Sequence, residues 1–165
     1  MLRTRLFATL LLLAAMVAGA NTVSAAGGCK SYSGNFTAVR PNPCASLVGI
    51  CTRGTLIGGF PSTYDFTADT LIPTGKPGEF AYTGHSTITT RQGAVLVGSD
   101  SGVLTIQPDG TTALFVTTVH IVDGTRQYQG STGSFVAPGT LNLVTGATVG
   151  TYSALICKAE DNPGD

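Results

Sequence analysis

Along residues 79–90, EFAYTGHSTITT, apolar and polar side chains alternate almost one by one. Phe80, Tyr82 and Ile88 fall on one face, and Glu79, Thr83, His85, Thr87 and Thr89 on the other. Residues 62–69, STYDFTAD, repeat the rhythm, with Tyr64, Phe66 and Ala68 opposite Asp65, Thr67 and Asp69. A period of two with one apolar face predicts β-strands that pack one side on a core and leave the other to water. The stretch 112–122, TALFVTTVHIV, departs from this. Ala113, Phe115, Val119 and Ile121 fill one face, while Leu114, Val116, His120 and Val122 fill the other. A strand apolar on both faces predicts a cover for its outer side, either a packed loop or another subunit.

The same reading places strands near 31–39, 53–58, 62–70, 78–90, 93–99, 102–107, 111–122, 134–137, 140–145 and 149–157, with 134–137 and 140–145 open to being one strand bent at Pro138-Gly139. Turn chemistry separates them at Pro73-Thr74-Gly75, Gln92-Gly93, Pro108-Asp109-Gly110, Asp123-Gly124 and Thr145-Gly146. No stretch carries a sustained helical period. About eight to ten short strands without a helix argue for a sandwich or a closed barrel, and the alternation favours a barrel interior.

The first 25 residues read differently. Arg3 and Arg5 precede an apolar run over 6–17, and Val23-Ser24-Ala25 offers small residues to a signal peptidase. This predicts a secretory signal over 1–25, cleaved after Ala25 or alternatively Ala26, and a secreted or periplasmic protein. The apolar run, about 12 residues, is short of the roughly 20 that a spanning helix needs, so no membrane span is expected. A lipoprotein is the alternative, but Cys29 lies far from the run and Ala26 suits a lipobox poorly. One β-barrel domain is expected over 26–165. Arg3 and Arg5 leave with the signal, so nine Lys plus Arg fall to seven against nine Asp plus Glu, a net charge of −2. No basic run remains to hold a phosphate backbone, which argues against nucleic acid as a partner.

Four cysteines, Cys29, Cys44, Cys51 and Cys157, remain in an exported chain, and an even number there reads as two disulfides. Of three pairings, Cys44 with Cys51 is favoured because PNPCASLVGIC reads as one local loop, leaving Cys29 with Cys157. Zinc is the rival, weakened by the lack of a CxxC and by the distance of His85 and His120 from any cysteine in sequence. No metal or cofactor is expected.

Chemistry-bearing residues are few, since charged residues make up 11% of the chain. There is no GxSxG, HExxH or phosphate-binding loop. Glu79 and His85 share a face but stand roughly 20 Å apart along an extended strand and cannot act as a pair. His85 is expected on the surface. His120, between Val119 and Ile121, is expected either as a hydrogen-bonded buried histidine or as an acid–base group in a cavity. Arg53, Asp65, Asp100 and Arg126 are read as strand-end or turn residues, where ion pairs are common and weak.

Residues 121–157 carry IVDGTRQYQGSTGSF, APGTLNL and GATVGTYSALIC. In the pattern these stretches resemble, a strand ends in a glycine turn, a short helical turn carries a tyrosine, and a small-residue segment starts the next strand; the matching pieces here are Gly124, Tyr128, Gly130-Ser131-Thr132-Gly133 and Gly150-Thr151-Tyr152-Ser153-Ala154-Leu155-Ile156-Cys157. With GEFAYTGHSTITT and GSDSGVLTIQPDG upstream, this resembles the allene-oxide-cyclase-barrel family, which includes dirigent-like proteins, over residues 55–157. It departs from the family at Gly130-Ser131, at Ala154 where a glycine is expected, and in its N-terminal disulfide loop. The resemblance implies a bacterial-type secreted member with a calycin-like, eight-stranded antiparallel barrel, an apolar cavity and a homo-oligomer, often a trimer. In that family cyclases hold an apolar substrate in a shaped cavity and dirigent-like members steer radical coupling. No residue here matches their catalytic carboxylates, so no catalytic residue is assigned.

Two functions remain. One is a barrel that binds a small apolar or phenolic molecule and guides its cyclisation or coupling. Phe66, Phe80, Tyr82 and Phe115 are then its cavity residues, with His120 and with Tyr128 capping the mouth, ring inward and hydroxyl wet. The other is an exported structural barrel filled by its own side chains.

Overall fold

The computed structural model describes residues 28–159. The signal expected over 1–25 lies outside the described residues. Eight strands follow in order: β1 (Cys29–Val39), β2 (Cys51–Gly58), β3 (Ser62–Pro73), β4 (Glu79–Thr90), β5 (Val95–Ile106), β6 (Thr112–Gly124), β7 (Thr132–Asn142) and β8 (Thr148–Cys157). A single 3-10 turn, Arg126–Tyr128, joins β6 to β7. Each strand pairs antiparallel with the next, and β8 pairs with β1, closing the barrel. This is the all-β, eight-stranded antiparallel barrel expected from the alternation and the resemblance together. Closure leaves no sheet edge to template pairing with another chain.

Where sequence reading split strands, the barrel joins them. The stretches 93–99 and 102–107 are parts of one strand, β5, which runs through Gly98-Ser99-Asp100-Ser101-Gly102 without leaving its ladder to β4. Small polar residues and glycines there mimic turn chemistry, but hydrogen bonds on both sides hold the segment extended. Its irregularity is a bulge toward β6 at Val97/Gly98. Likewise 134–137 and 140–142 belong to β7, while 143–145, expected as strand, form the turn into β8. Its ladder to β6 is continuous, whereas the pairing with β8 skips Ala137 and Pro138. Proline brings no N–H to the ladder, which is why it sits at such an interruption. The Gln107–Gly110 turn forms as its PDG sequence predicts: Gly110 N–H donates to the Gln107 carbonyl at 2.9 Å, and Asp109 Oδ1 accepts from the N–H groups of Thr111 and Thr112.

The apolar faces point inward. At one end the lumen is packed shut around Phe60, on the β2–β3 connection. Its ring lies 5.1 Å from that of Tyr32, 5.8 Å from Phe135 and 5.9 Å from Tyr128, and its N–H donates to the Tyr152 hydroxyl at 2.9 Å. At the other end Tyr82, Leu104 and Ala113 are buried, but Phe66, Leu71, Phe80, Ile106 and Leu141 around them are only half-buried. The two disulfides sit at opposite ends. Cys29–Cys157 staples β1 to β8 where the two cysteines are register partners, and Cys44–Cys51 closes the loop that enters β2.

The outer face differs around the wall. Over β2 to β4 it is mainly polar, with an Arg53–Asp65 ion pair at 2.5 Å and a His85–Asp69 pair at 3.1 Å, although Ile57 and Ile72 are also exposed there. Over β5 to β8 it exposes valine and leucine, among them Val103, Leu114, Val116, Val136 and Val149. No helix among the described residues is long and apolar enough to cross a membrane. The charged and threonine-rich half of the wall also differs from the continuous apolar band of a barrel that crosses with strands.

Candidate functional site

Between the packed end and the half-buried end lies a cavity of about 90 Å³. Inward residues from all eight strands line it, including Phe36, Tyr64, Phe66, Tyr82, Leu104, Phe115, Val119 and Phe135, together with Ser86, Asp100 and Thr117. Ile50, beside the Cys44–Cys51 loop, reaches it too.

Glycines position these rings. Phe36 pairs with Gly150 across β1–β8, Phe115 with Gly139 across β6–β7, and Tyr82 with Gly102 across β4–β5. A Cβ built at Gly150 would stand 2.5 Å from the Phe36 ring, and one at Gly102 2.5 Å from the Tyr82 ring. Each aromatic therefore lies flat across the neighbouring strand, in space that only glycine leaves open. This is the cross-strand covering of glycine by aromatic side chains that curved sheets use. It brings the Phe36 and Phe115 rings to 6.2 Å and leaves the cavity walled by ring faces.

Ser86, Asp100, Tyr82 and Thr117 share one strip of the cavity wall, while Thr52, Tyr64 and Thr148 line it elsewhere. Gly84, Asp100 and Val119 are aligned across β4, β5 and β6, and Tyr82, Gly102 and Thr117 are aligned next to them. Across Gly102 the Tyr82 hydroxyl meets the Thr117 hydroxyl in a short hydrogen bond. Burial pushes the Tyr82 phenol up to about 12, against the easing effect of Thr117. Tyr64 is likewise raised to about 12 by burial, eased by the Thr52 hydroxyl. Neither phenol ionises near neutral pH.

Asp100 is the unusual member. It is 3% exposed, and its Oδ1 accepts a hydrogen bond from the Ser86 hydroxyl at 2.7 Å. Its Oδ2 is buried and has no hydrogen-bond partner. No Lys, Arg or His lines the cavity. Burial therefore dominates and lifts the carboxyl from 3.8 to about 7, with Ser86 pulling the other way. Near neutral pH this carboxyl is balanced between acid and carboxylate, in an apolar chamber where a lone charge is costly.

Of the residues expected in the cavity, Phe66, Tyr82 and Phe115 line it. Phe80 does not; it is half-buried at the open end, packed on the Tyr82–Leu104–Ala113 cluster. His120 is corrected outright. It is exposed on the outer face of β6, because the inward positions of that strand are 113, 115, 117, 119 and 121. Strict alternation assigns it outward, and its apolar neighbours Val119 and Ile121 point the other way. Tyr128 is buried, 9% exposed, but in the closed plug against Phe60 and not in the cavity lining, with Lys158 Nζ 5.3 Å from its ring centre. His85 is exposed as expected, with Nδ1 3.1 Å from Asp69 Oδ1. Asp100, read from sequence as a turn residue, is the one carboxylate in the lining. Its signal was available: with β5 taken as one strand, Leu96, Gly98, Asp100, Gly102 and Leu104 share a face.

No family model matches the chain, and no curated protein matches it. Among solved structures it is similar to that of a pterocarpan synthase dirigent protein, at 12% identity and a TM-score of 0.32, over 81% of this chain and 92% of that one. Likeness at this level leaves the barrel's own geometry to carry its reading.

Proposed function

We propose that this chain is an exported barrel that takes up a small apolar or phenolic molecule in its lumen. The observation that carries this is the aromatic-walled cavity of about 90 Å³, which holds a buried carboxyl with an unpaired oxygen. A site of mostly apolar lining with few convergent polar groups is the usual form of a small-ligand pocket. The volume is below the roughly 150 Å³ of an engineered apolar cavity that binds benzene. An aromatic ring therefore does not fit within this volume alone and extends toward the half-buried end between Phe66, Phe80 and Leu141. Guided cyclisation or coupling, which the sequence resemblance implies, needs a proton-exchanging group beside the ring, and Asp100 is the carboxyl in place for it.

Export rests on the signal-like segment 1–25, and the two disulfides suit an oxidising compartment. A homo-oligomer rests on the exposed apolar side of β5 to β8, where Val103, Val116 and Pro138 are aligned across three strands. The second reading, a structural barrel filled by its own side chains, is favoured by how much of the lumen the aromatic–glycine pairs occupy. Calorimetric titration with toluene, beside native mass spectrometry of protein from its own host, separates the two. Saturable one-site uptake or a retained small molecule supports the ligand-binding barrel. No heat of binding from toluene or phenol and no retained molecule overturns it.

A further inference from the structure

The cavity is not uniformly apolar, and its one carboxyl is incompletely bonded. Asp100 Oδ1 is occupied by the Ser86 hydroxyl, while Oδ2 faces no donor. The other hydroxyls of the same strip are already engaged, Tyr82 with Thr117. A buried acceptor left unpaired costs free energy that a ligand can recover. The surroundings define what that ligand brings. Val119 and Thr117 of β6, Ser86 and Tyr82 of β4, and Gly98 and Gly102 of β5 supply no positive charge. The ionisable groups that bear on it, His85 of β4 and Asp69 of β3, are exposed on the outer side of the wall. A cationic ligand would have to shed its hydration among aromatic rings, which is far more costly than burying a neutral hydroxyl.

We propose that Asp100 is the polar anchor of the cavity, selecting a neutral ligand whose hydroxyl donates to Oδ2 over a hydrocarbon of the same shape. This rests on the ligand-binding reading and gives it a specificity residue. Ser86 is a positioning residue, fixing the carboxyl by its bond to Oδ1. The bond to the ligand is strongest when Asp100 is ionised, so hydroxyl selection increases with pH through the range in which the carboxyl loses its proton. Burial places that range near 7.

Phenol and toluene test this, because they share a shape and differ by a hydroxyl for a methyl. Phenol stays neutral at about pH 8.5, since phenol hydroxyls ionise near 10. Calorimetric titration at about pH 8.5 should give phenol a dissociation constant roughly tenfold or more below that of toluene, the effect of a charge-assisted hydrogen bond. At about pH 5.5 the ratio should shrink as the carboxyl protonates. In Asp100→Leu, toluene uptake should persist and the preference for phenol disappear at both pH values. Asp100→Asn, which retains the size and polarity of the side chain, should remove the pH dependence and serves if the leucine variant does not fold. Equal affinities for phenol and toluene in the unaltered protein overturn the anchor and leave the cavity reading standing. A phenol preference that survives both substitutions also overturns it. Failure of both ligands to bind removes the cavity reading and the anchor with it.

Discussion

The ring of Tyr82 lies directly across Gly102, its partner on the next strand, and its hydroxyl reaches over that glycine to Thr117 on the strand beyond. Three strands are thus tied on the inside of the wall by one side chain. Gly102→Ala would place a methyl group 2.5 Å from the ring and 2.5 Å from the Val116 carbonyl, with backbone on one side and nowhere to move. The expected cost is about 1–3 kcal/mol or more, the usual penalty of overpacking. Tyr82→Phe leaves the Thr117 hydroxyl buried without its partner and should cost about 1–3 kcal/mol. Adding Thr117→Val should return part of that loss. Urea melts of the two single variants and the double variant measure the coupling, and strict additivity would count against the bond.

Stability should carry the signature of Asp100. Burial raises its carboxyl from 3.8 to about 7, so the folded protein keeps a proton that the unfolded chain releases. The stability this contributes is complete below the unfolded value and is lost as pH rises through about 7. The loss is on the order of a few kcal/mol. Asp100→Asn lacks the titration, so the unaltered protein should weaken relative to the variant between about pH 4 and pH 7. Glu79 and Asp109, held low chiefly by hydroxyls of Thr74 and Thr112, act in the opposite sense but are common to both proteins and cancel in the difference. A difference in unfolding free energy that is flat with pH would contradict the buried carboxyl.

Tyr128 belongs to the plug and not to the cavity, and two substitutions distinguish these positions. Tyr128→Ala removes the ring packed on Phe60 and should cost about 3 kcal/mol or more. Tyr128→Phe keeps the ring and should cost about 1 kcal/mol or less, since the hydroxyl makes no hydrogen bond among the described residues. Toluene uptake per folded molecule should be the same in Tyr128→Phe and the unaltered protein. A tenfold weaker uptake would place the hydroxyl in the ligand's path.

The two disulfides should contribute unequally. Cys29–Cys157 spans 128 residues and Cys44–Cys51 spans 7. In the chain-entropy model the long closure restricts the unfolded chain by about 4–5 kcal/mol and the short one by about 2–3. Replacing Cys29 and Cys157 with serine should therefore lower the melting temperature more than the same change at Cys44 and Cys51. The reverse order would show that the β1–β8 ladder holds the seam without the staple.

The apolar outer face of β6 predicts assembly. Leu114 is 49% exposed and Val116 50%, on a strand already buried on its inner side. Sedimentation at micromolar concentration should report a homo-oligomer, and Val116→Arg should shift it to a single chain without lowering the monomer's melting temperature by more than a few degrees. A monomer in the unaltered protein would leave that face as plain surface.

Alternation alone determined much of this protein. Strands such as EFAYTGHSTITT and STYDFTAD have a period of two, so their inward and outward sets are fixed by covalent geometry, whatever they pair with. Phe66, Tyr82 and Phe115 faced the lumen for that reason, and the PDG turn was legible because its conformation is local. The tertiary structure decided what local chemistry left ambiguous. Gly98-Ser99-Asp100-Ser101-Gly102 has the composition of a turn, and it is a strand because β4 and β6 hydrogen-bond it on both sides. That ladder turns Asp100 inward and buries it. His120 moved the other way, outward, once its strand was fixed in register. Residues 126–128 could as well have formed a mouth as a plug; the position of Phe60, from a connection more than sixty residues earlier in the chain, made it a plug. Barrel closure is non-local, and which end is packed and which polar group is stranded in the lumen are set only when β8 meets β1.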